Sequence, residues 1–273
     1  MTENDVVFEW STDKKRNNSD LFPDIFRCLV IGESNCGKTS LLLKILLESL
    51  LDYNHLIVYS DSLFQPKYQI LKKGFESKLN QEQLFKFFKH KDIFKNCELN
   101  EDRLLSEYEK DVSNTQANRT EPSVIVEYFS SNEKIPDPSQ LQDNKKYIVI
   151  FDDCITVKNQ DIMKSYFTRG RHKNVIVFYL SQSYFSLDRR SIRMNSNVLI
   201  LFKLSNLDLQ NLHKDKIQID MPSLKEFSDF CNEIWENDYH YVFINFDEKP
   251  KTGRRYRHNL EGFYIPAKYK TVK

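Results

Sequence analysis

Gly32-Glu33-Ser34-Asn35-Cys36-Gly37-Lys38-Thr39 is the stretch on which the reading of this chain turns. It fits G-x-x-x-x-G-K-[ST], the pattern of a phosphate-binding loop. An apolar run, Cys28 to Ile31, enters it, and a helical pattern, Ser40 to Leu51, leaves it. That strand–loop–helix context is the one the motif requires. Backbone N–H groups from Gly32 through Ser40, aimed by a helix N-terminus, then cradle phosphates. Lys38 reaches the β- and γ-phosphates, and the Thr39 hydroxyl ligates Mg²⁺. A glycine-rich turn without a ligand is the plainer alternative. Both flanks argue against it, and a chain with only six glycines places two of them here.

The 273 residues are 40% hydrophobic and 29% charged, which suits a folded domain with a sizeable core. Formal net charge is +1, so overall charge does not announce a nucleic-acid partner. Its distribution is less even: between Lys249 and Lys273 eight Lys/Arg face one acid, Glu261. No run of about 18 apolar residues suggests a membrane span, so no membrane partner is expected. The polar N-terminus lacks the apolar segment of a secretory signal. Five widely spaced cysteines with no C-x-x-C point to a reducing compartment rather than to a disulfide frame or a zinc site.

Strands are expected at 27–31, Leu56 to Tyr59, Tyr147 to Phe151, Val175 to Leu180, Val198 to Phe202 and Tyr241 to Asn245, and Val124 to Phe129 can be read as another. Several are near-continuous apolar runs, as in parallel strands buried on both faces. A helix is expected over 38–52, with Leu41, Leu42, Ile45, Leu46 and Leu50 at helical spacing. Charged helices are expected over 67–120, where the aromatics of Leu84-Phe85-Lys86-Phe87-Phe88 face a core. Strands alternating with helices make this an α/β chain with a doubly wound, mainly parallel sheet. Three segments follow: an N-terminal arm over 1–25, a phosphate-loop core over 26–205 with an insertion around 67–146, and a C-terminal extension over 206–273 with a basic tail.

Tyr147 to Phe151 ends in Asp152-Asp153. A Mg²⁺ held by the loop threonine needs an aspartate at such a strand end, and Asp152 is placed to serve, through water. Asp153, one residue on, can accept a proton from attacking water, although many such enzymes carry the longer Glu there. A solvated strand-end turn is the alternative. Val175 to Leu180 ends in Ser181-Gln182. If that strand lies between the loop strand and the Asp152 strand, Gln182 sits beside the γ-phosphate and can orient water. Arg171, within Thr168-Arg169-Gly170-Arg171-His172-Lys173, admits three readings: an arginine finger for a neighbouring subunit, a grip on phosphodiester backbone, or a solvated helix end. Arg189, Arg190 and Arg193 are rivals for the same roles, as is Arg169. A GTPase would want N-K-x-D, and Asn144-Lys145-Lys146-Tyr147 lacks the Asp.

Gly170-Arg171, then ten residues, then Ser181-Gln182 resembles the FtsK–HerA superfamily of DNA-pumping ATPases, as does Asn195 to Lys203. Within it the chain is most similar to genome-packaging ATPases of poxviruses, giant viruses, virophages and Polinton-type elements, through Leu56 to Ser60, Gln65-Pro66-Lys67-Tyr68 and Asp152-Asp153. The resemblance covers roughly residues 26–205. It implies a P-loop NTPase of the additional-strand, RecA- and FtsK-like type. It implies ATP held at Gly37, Lys38 and Thr39, Mg²⁺ at Asp152, and sensing at Gln182. It further implies a ring homo-oligomer of about five or six subunits that drives double-stranded DNA into a preformed capsid. Capsid or portal-vertex proteins would be its partners. It would act in host cytoplasm or nucleus at assembly sites, transiently on the capsid, and would not be secreted. A non-translocating ATPase of replication or assembly is the alternative, and a GTPase or kinase a more distant one.

Overall fold

Apolar side chains alternate along five adjacent strands, and the alternation sorts the core into two layers. The computed structural model describes residues 20–77, 79–91, 93, 124–130, 133–157 and 160–270. The arm over 1–19, Cys97 and most of the expected helical stretch from 92 to 120 lie outside them. Strands β1 (Arg27–Ile31), β2 (His55–Ser60), β3 (Ile125–Phe129), β4 (Tyr147–Asp152), β5 (Val175–Ser181), β6 (Val198–Leu201), β7 (Val242–Asn245), β8 (Tyr256–His258) and β9 (Gly262–Tyr264) form one sheet. Its order is β3-β2-β4-β5-β1-β6-β7-β8-β9. The six strands from β3 to β6 are parallel, and β7, β8 and β9 add antiparallel.

Leu29, Ile31, Ile57, Tyr59, Val149, Phe151, Val177 and Tyr179 point to one face. There they meet α4 (Asp161–Arg169), α5 (Asn206–Leu212) and α6 (Leu224–Trp235). Cys28, Val30, Leu56, Val58, Ile148, Ile150, Ile176 and Phe178 point to the other, against α1 (Lys38–Leu47), α2 (Pro66–Glu76) and α3 (Gln81–His90). Helices on both faces of a mainly parallel sheet make the fold doubly wound α/β. A period of two with both faces apolar is why these strands read as unbroken hydrophobic runs.

One expectation changes. Helix α1 ends at Leu47 rather than 52, because Ser49 takes a left-handed φ of 57° and turns the chain back toward β2. The expected C-terminal extension supplies β8 and β9 from residues 256–264. Two of its arginines, Arg255 and Arg257, are drawn inward, while Arg254 stays exposed. Arg255 donates to Asp220 at 2.7 Å and to the Glu248 carbonyl at 2.6 Å. The buried Arg257 guanidinium stands 5.8 Å and 4.9 Å from the Phe243 and Phe263 ring centres. Arginine stacks on such rings because its guanidinium is planar and weakly hydrated.

Lys216, in the turn after α5, donates to the Ser196 carbonyl at 2.8 Å. Burial lowers its pKa to about 8, against the pull of Asp215 and with Arg27 adding to the fall. An unfolded chain holds that proton up to about 10.5, so folding releases it in between. The associated stability is present in full above the unfolded value and is lost as pH falls through about 8. Urea denaturation of wild type and Lys216→Met should therefore show wild type gaining on the variant by up to roughly 2–3 kcal/mol as pH rises across that window.

Candidate nucleotide site

The C-terminal ends of β4, β5 and β1 stand side by side in that order, and open parallel sheets bind ligands at such ends. Strand β5 thus lies between the loop strand and the Asp152 strand. The first loop amide is fastened to it: Gly32 N donates to the Ser181 carbonyl at 3.2 Å. Past β1 the backbone takes left-handed φ at Asn35 (63°) and again at Gly37 (101°). Such alternation turns successive N–H groups into one concavity, an anion nest. Gly37 is also the N-cap of α1, with no side chain capping it and no acid in the first turn. The amides at that end of the helix are left for an external acceptor.

Gly32 is fixed by packing rather than by its dihedrals. A Cβ there would sit 2.5 Å from Phe202 Cβ and 2.7 Å from Cys36 Sγ. The thiol can rotate away but Phe202 Cβ is fixed by its backbone, so Gly32→Ala should lower the unfolding free energy by about 1–3 kcal/mol, the usual cost of overpacking, as read by urea denaturation.

Lys38 curls over the loop. Its Nζ donates to the carbonyls of Gly32 and Glu33, both at 2.7 Å. Cys36 lies beside it, with its thiol pKa pushed up by burial. Thr39 and Asp152 come together from α1 and β4: the Thr39 hydroxyl is near enough to the Asp152 carboxylate to favour its charged form. Asp152 is 6% exposed, and burial pushes its carboxyl above the ordinary range. The hydrogen bond from Tyr68 pulls the other way, Asp153 adds to the rise, and Lys38 and Thr39 oppose it. Asp153 is exposed, at a left-handed φ of 56° immediately past the strand. Gln182 is exposed one residue beyond β5.

Two partners of the site lie in Gln65-Pro66-Lys67-Tyr68, a stretch quoted above for its resemblance but given no role there. Tyr68 Oη donates to Asp152 Oδ2 at 2.6 Å from the first turn of α2. Its neighbour Lys67 donates to Ser40 Oγ at 2.6 Å. The sequence signal was indirect: Gln65-Pro66 puts a proline at the first helical position, which fixes where α2 starts and so which residues its first turn offers. Tyr68→Phe keeps the shape and removes the donor to a buried carboxylate. It should cost about 1.5–3 kcal/mol of stability by chemical denaturation.

The arginines are not brought to this edge. Arg171 lies in the 3₁₀ turn Gly170–Lys173 that precedes β5, at the opposite end of that seven-residue strand, roughly 23 Å away. Its Nε stands 3.4 Å from His172 Nε2, and its charge adds to the lowering of the Arg27 pKa, of which burial is the larger cause. It does not reach the nucleotide loop of its own chain. Arg169 is bound to Asp137 at 2.7 Å and Arg189 to Asp215 at 2.8 Å. Arg193 is buried against the Tyr184 ring, its guanidinium carbon 5.0 Å from the centroid.

The donor set suits a magnesium nucleotide. Mg²⁺ takes one or two protein oxygens and completes its shell with phosphates and water. Thr39 would supply one directly, and Asp152 would act on the ion through a water. Among the described residues no three or more His, Cys, Asp or Glu converge into an all-protein cage.

No protein-family model matches the sequence, and no curated protein matches it. Solved structures do. The genome packaging NTPase B204 from Sulfolobus turreted icosahedral virus 2, in complex with AMP, is similar at 9% identity and a TM-score of 0.48, over 87% of this chain and 98% of that one. The same protein in complex with ATP-gammaS gives 10% identity and 0.43, over 89% and 100%. VirB4 of Thermoanaerobacter pseudethanolicus gives 10% and 0.42, over 90% and 91%.

Proposed function

We propose that this chain is a Mg²⁺-dependent ATPase that, as a ring of identical subunits, drives double-stranded DNA into a preformed capsid. The observation that carries the hydrolytic part is the meeting of Thr39 and Asp152 beneath a nest of loop amides, with Asp153 and Gln182 on the same edge. Loop amides and Lys38 hold the triphosphate. Mg²⁺ at Thr39 and Asp152 would neutralise charge on the β- and γ-oxygens. Gln182 orients a water, and Asp153 accepts its proton as the water oxygen bonds to the γ-phosphorus. The bond to the bridging oxygen breaks, leaving ADP and phosphate.

The DNA-driving part rests on the Gly170-Arg171 to Ser181-Gln182 spacing and its resemblance to DNA-pumping ATPases. Arg171, at the far edge, acts on a neighbouring subunit's nucleotide or on DNA phosphates, not on its own site. The capsid or portal vertex would receive the ring, at viral assembly sites in the host cell. Phosphate release by the full-length protein, with and without double-stranded DNA, tests both halves. Turnover that rises with DNA supports the motor. Turnover indifferent to DNA while rings are visible by particle imaging leaves a non-translocating ATPase. No ATP turnover under any of these conditions removes the proposal.

A further inference from the structure

The turn between α6 and β7 carries a residue that the hydrolytic machinery does not use. Tyr239 is 67% exposed and adopts a left-handed φ of 63°. Single exposed aromatics are common, but a bulky side chain at positive φ is a genuine outlier that costs on the order of 1 kcal/mol or more. The ring is not adrift. A Cβ built on Gly37 would lie 3.3 Å from Tyr239 Cδ1, so the ring edge stands against the phosphate loop at the point where α1 begins.

The surroundings hold the turn in that shape. His240 N donates to the Asn237 carbonyl at 3.3 Å. Tyr241 N donates to Asn259 Oδ1 at 3.0 Å, and Asn259 N returns a bond to the Tyr241 carbonyl at 2.9 Å. The His240 and His258 rings share a hydrogen bond of 2.8 Å. Tyr241 packs on Phe202, ring centres 5.5 Å apart. The β8–β9 hairpin, which the sequence offered only as basic tail, thus braces a turn whose tip is a flat, water-facing ring beside the loop.

We propose that Tyr239 is the platform on which the nucleobase of the bound nucleotide stacks. The inference rests on the nucleotide-binding reading above. Phosphates are drawn to the loop amides, and the base must lie to one side of them. On the side of β6 and β7 the exposed surface against Gly37 is this ring. Stacking is indifferent to base identity because every base has a π-face, so Tyr239 adds affinity for ATP and GTP alike and none for a bare polyphosphate.

The test is equilibrium binding of Mg·ATP and of Mg·tripolyphosphate, the base-less probe, to full-length wild type, Tyr239→Ala and Tyr239→Phe. Tyr239→Ala should weaken ATP binding roughly 5- to 100-fold and leave tripolyphosphate within about twofold, while Tyr239→Phe keeps wild-type affinity for both. In Tyr239→Trp the added indole emission should be quenched by ATP and not by tripolyphosphate, whatever the alanine variant does. Equal losses for both probes, undiminished ATP binding in Tyr239→Ala, or no selective quenching overturn the stacking role alone. Wild type that fails to bind ATP overturns the nucleotide reading and this inference with it.

Discussion

Lys38→Ala is expected to lower ATP turnover by at least about a hundredfold, the scale of losing one preorganised donor to developing charge. The ammonium is held 2.7 Å from two loop carbonyls, so it is already at the mouth of the amide nest before any phosphate contact. Those carbonyls belong to a buried Gly32 and an exposed Glu33. Water can replace the donor at Glu33 but less readily at Gly32, so the variant should keep its fold with about 1–3 kcal/mol lost in a denaturation curve. Lys38→Arg should not rescue turnover. A planar guanidinium cannot occupy the place of a compact ammonium between two carbonyls of one turn. Steady-state phosphate release with matched melting curves separates the two effects. Turnover within about threefold of wild type, with the fold intact, would remove Lys38 from the chemistry.

What the sequence made legible follows from how far apart the interacting residues lie. The loop is contiguous, so Gly32 to Thr39 declared strand, turn and helix in one reading. Strands β1, β4, β5 and β6 are apolar on both faces and needed no partner to be seen. The place of β5 between β1 and β4 could only be stated as a condition, because strand order is set by crossovers rather than by any local pattern.

Contacts across long separations stayed hidden. Tyr68 meets Asp152 from 84 positions away, and nothing in either neighbourhood encodes the other. Strands β8 and β9 are three residues each, too short to show alternation, and the buried member of β8 that faces two phenyl rings is Arg257. A buried arginine reads as surface to any pattern argument. Charge counting at the C-terminus could not tell Arg255 and Arg257, which are paired or stacked, from Lys249, Lys251, Arg254, Lys268 and Lys270, which are exposed. Tyr239 belongs to no motif. Its place beside Gly37 comes from a turn pinned to Asn259, twenty residues later in the chain.

Asp153→Asn should lower turnover about 10²- to 10⁴-fold, the range associated with loss of a general base, while ATP binding stays near wild type. The backbone makes this the informative substitution. Asp153 sits at φ 56°, a region that Asn tolerates as readily as Asp and most other residues enter at a cost. Asp153→Ala would mix that strain with loss of the carboxylate, so its effect on rate could not be assigned. Asp153→Asn leaves volume and backbone in place and removes only the proton acceptor. Asp152→Asn gives the contrast: it strikes a buried carboxylate that accepts a hydrogen bond from Tyr68 beside Thr39, and should weaken Mg·ATP binding as well as rate. The two neighbours separate because one side chain is 6% exposed at the strand end and the other is turned out to solvent by its left-handed backbone. If Asp153→Asn retains more than about a tenth of wild-type turnover, the carboxylate only shapes the local field, and the proton must leave by another acceptor on this edge. Gln182 cannot serve, since an amide has no useful basicity, so the attacking water would then give its proton to the γ-phosphate itself.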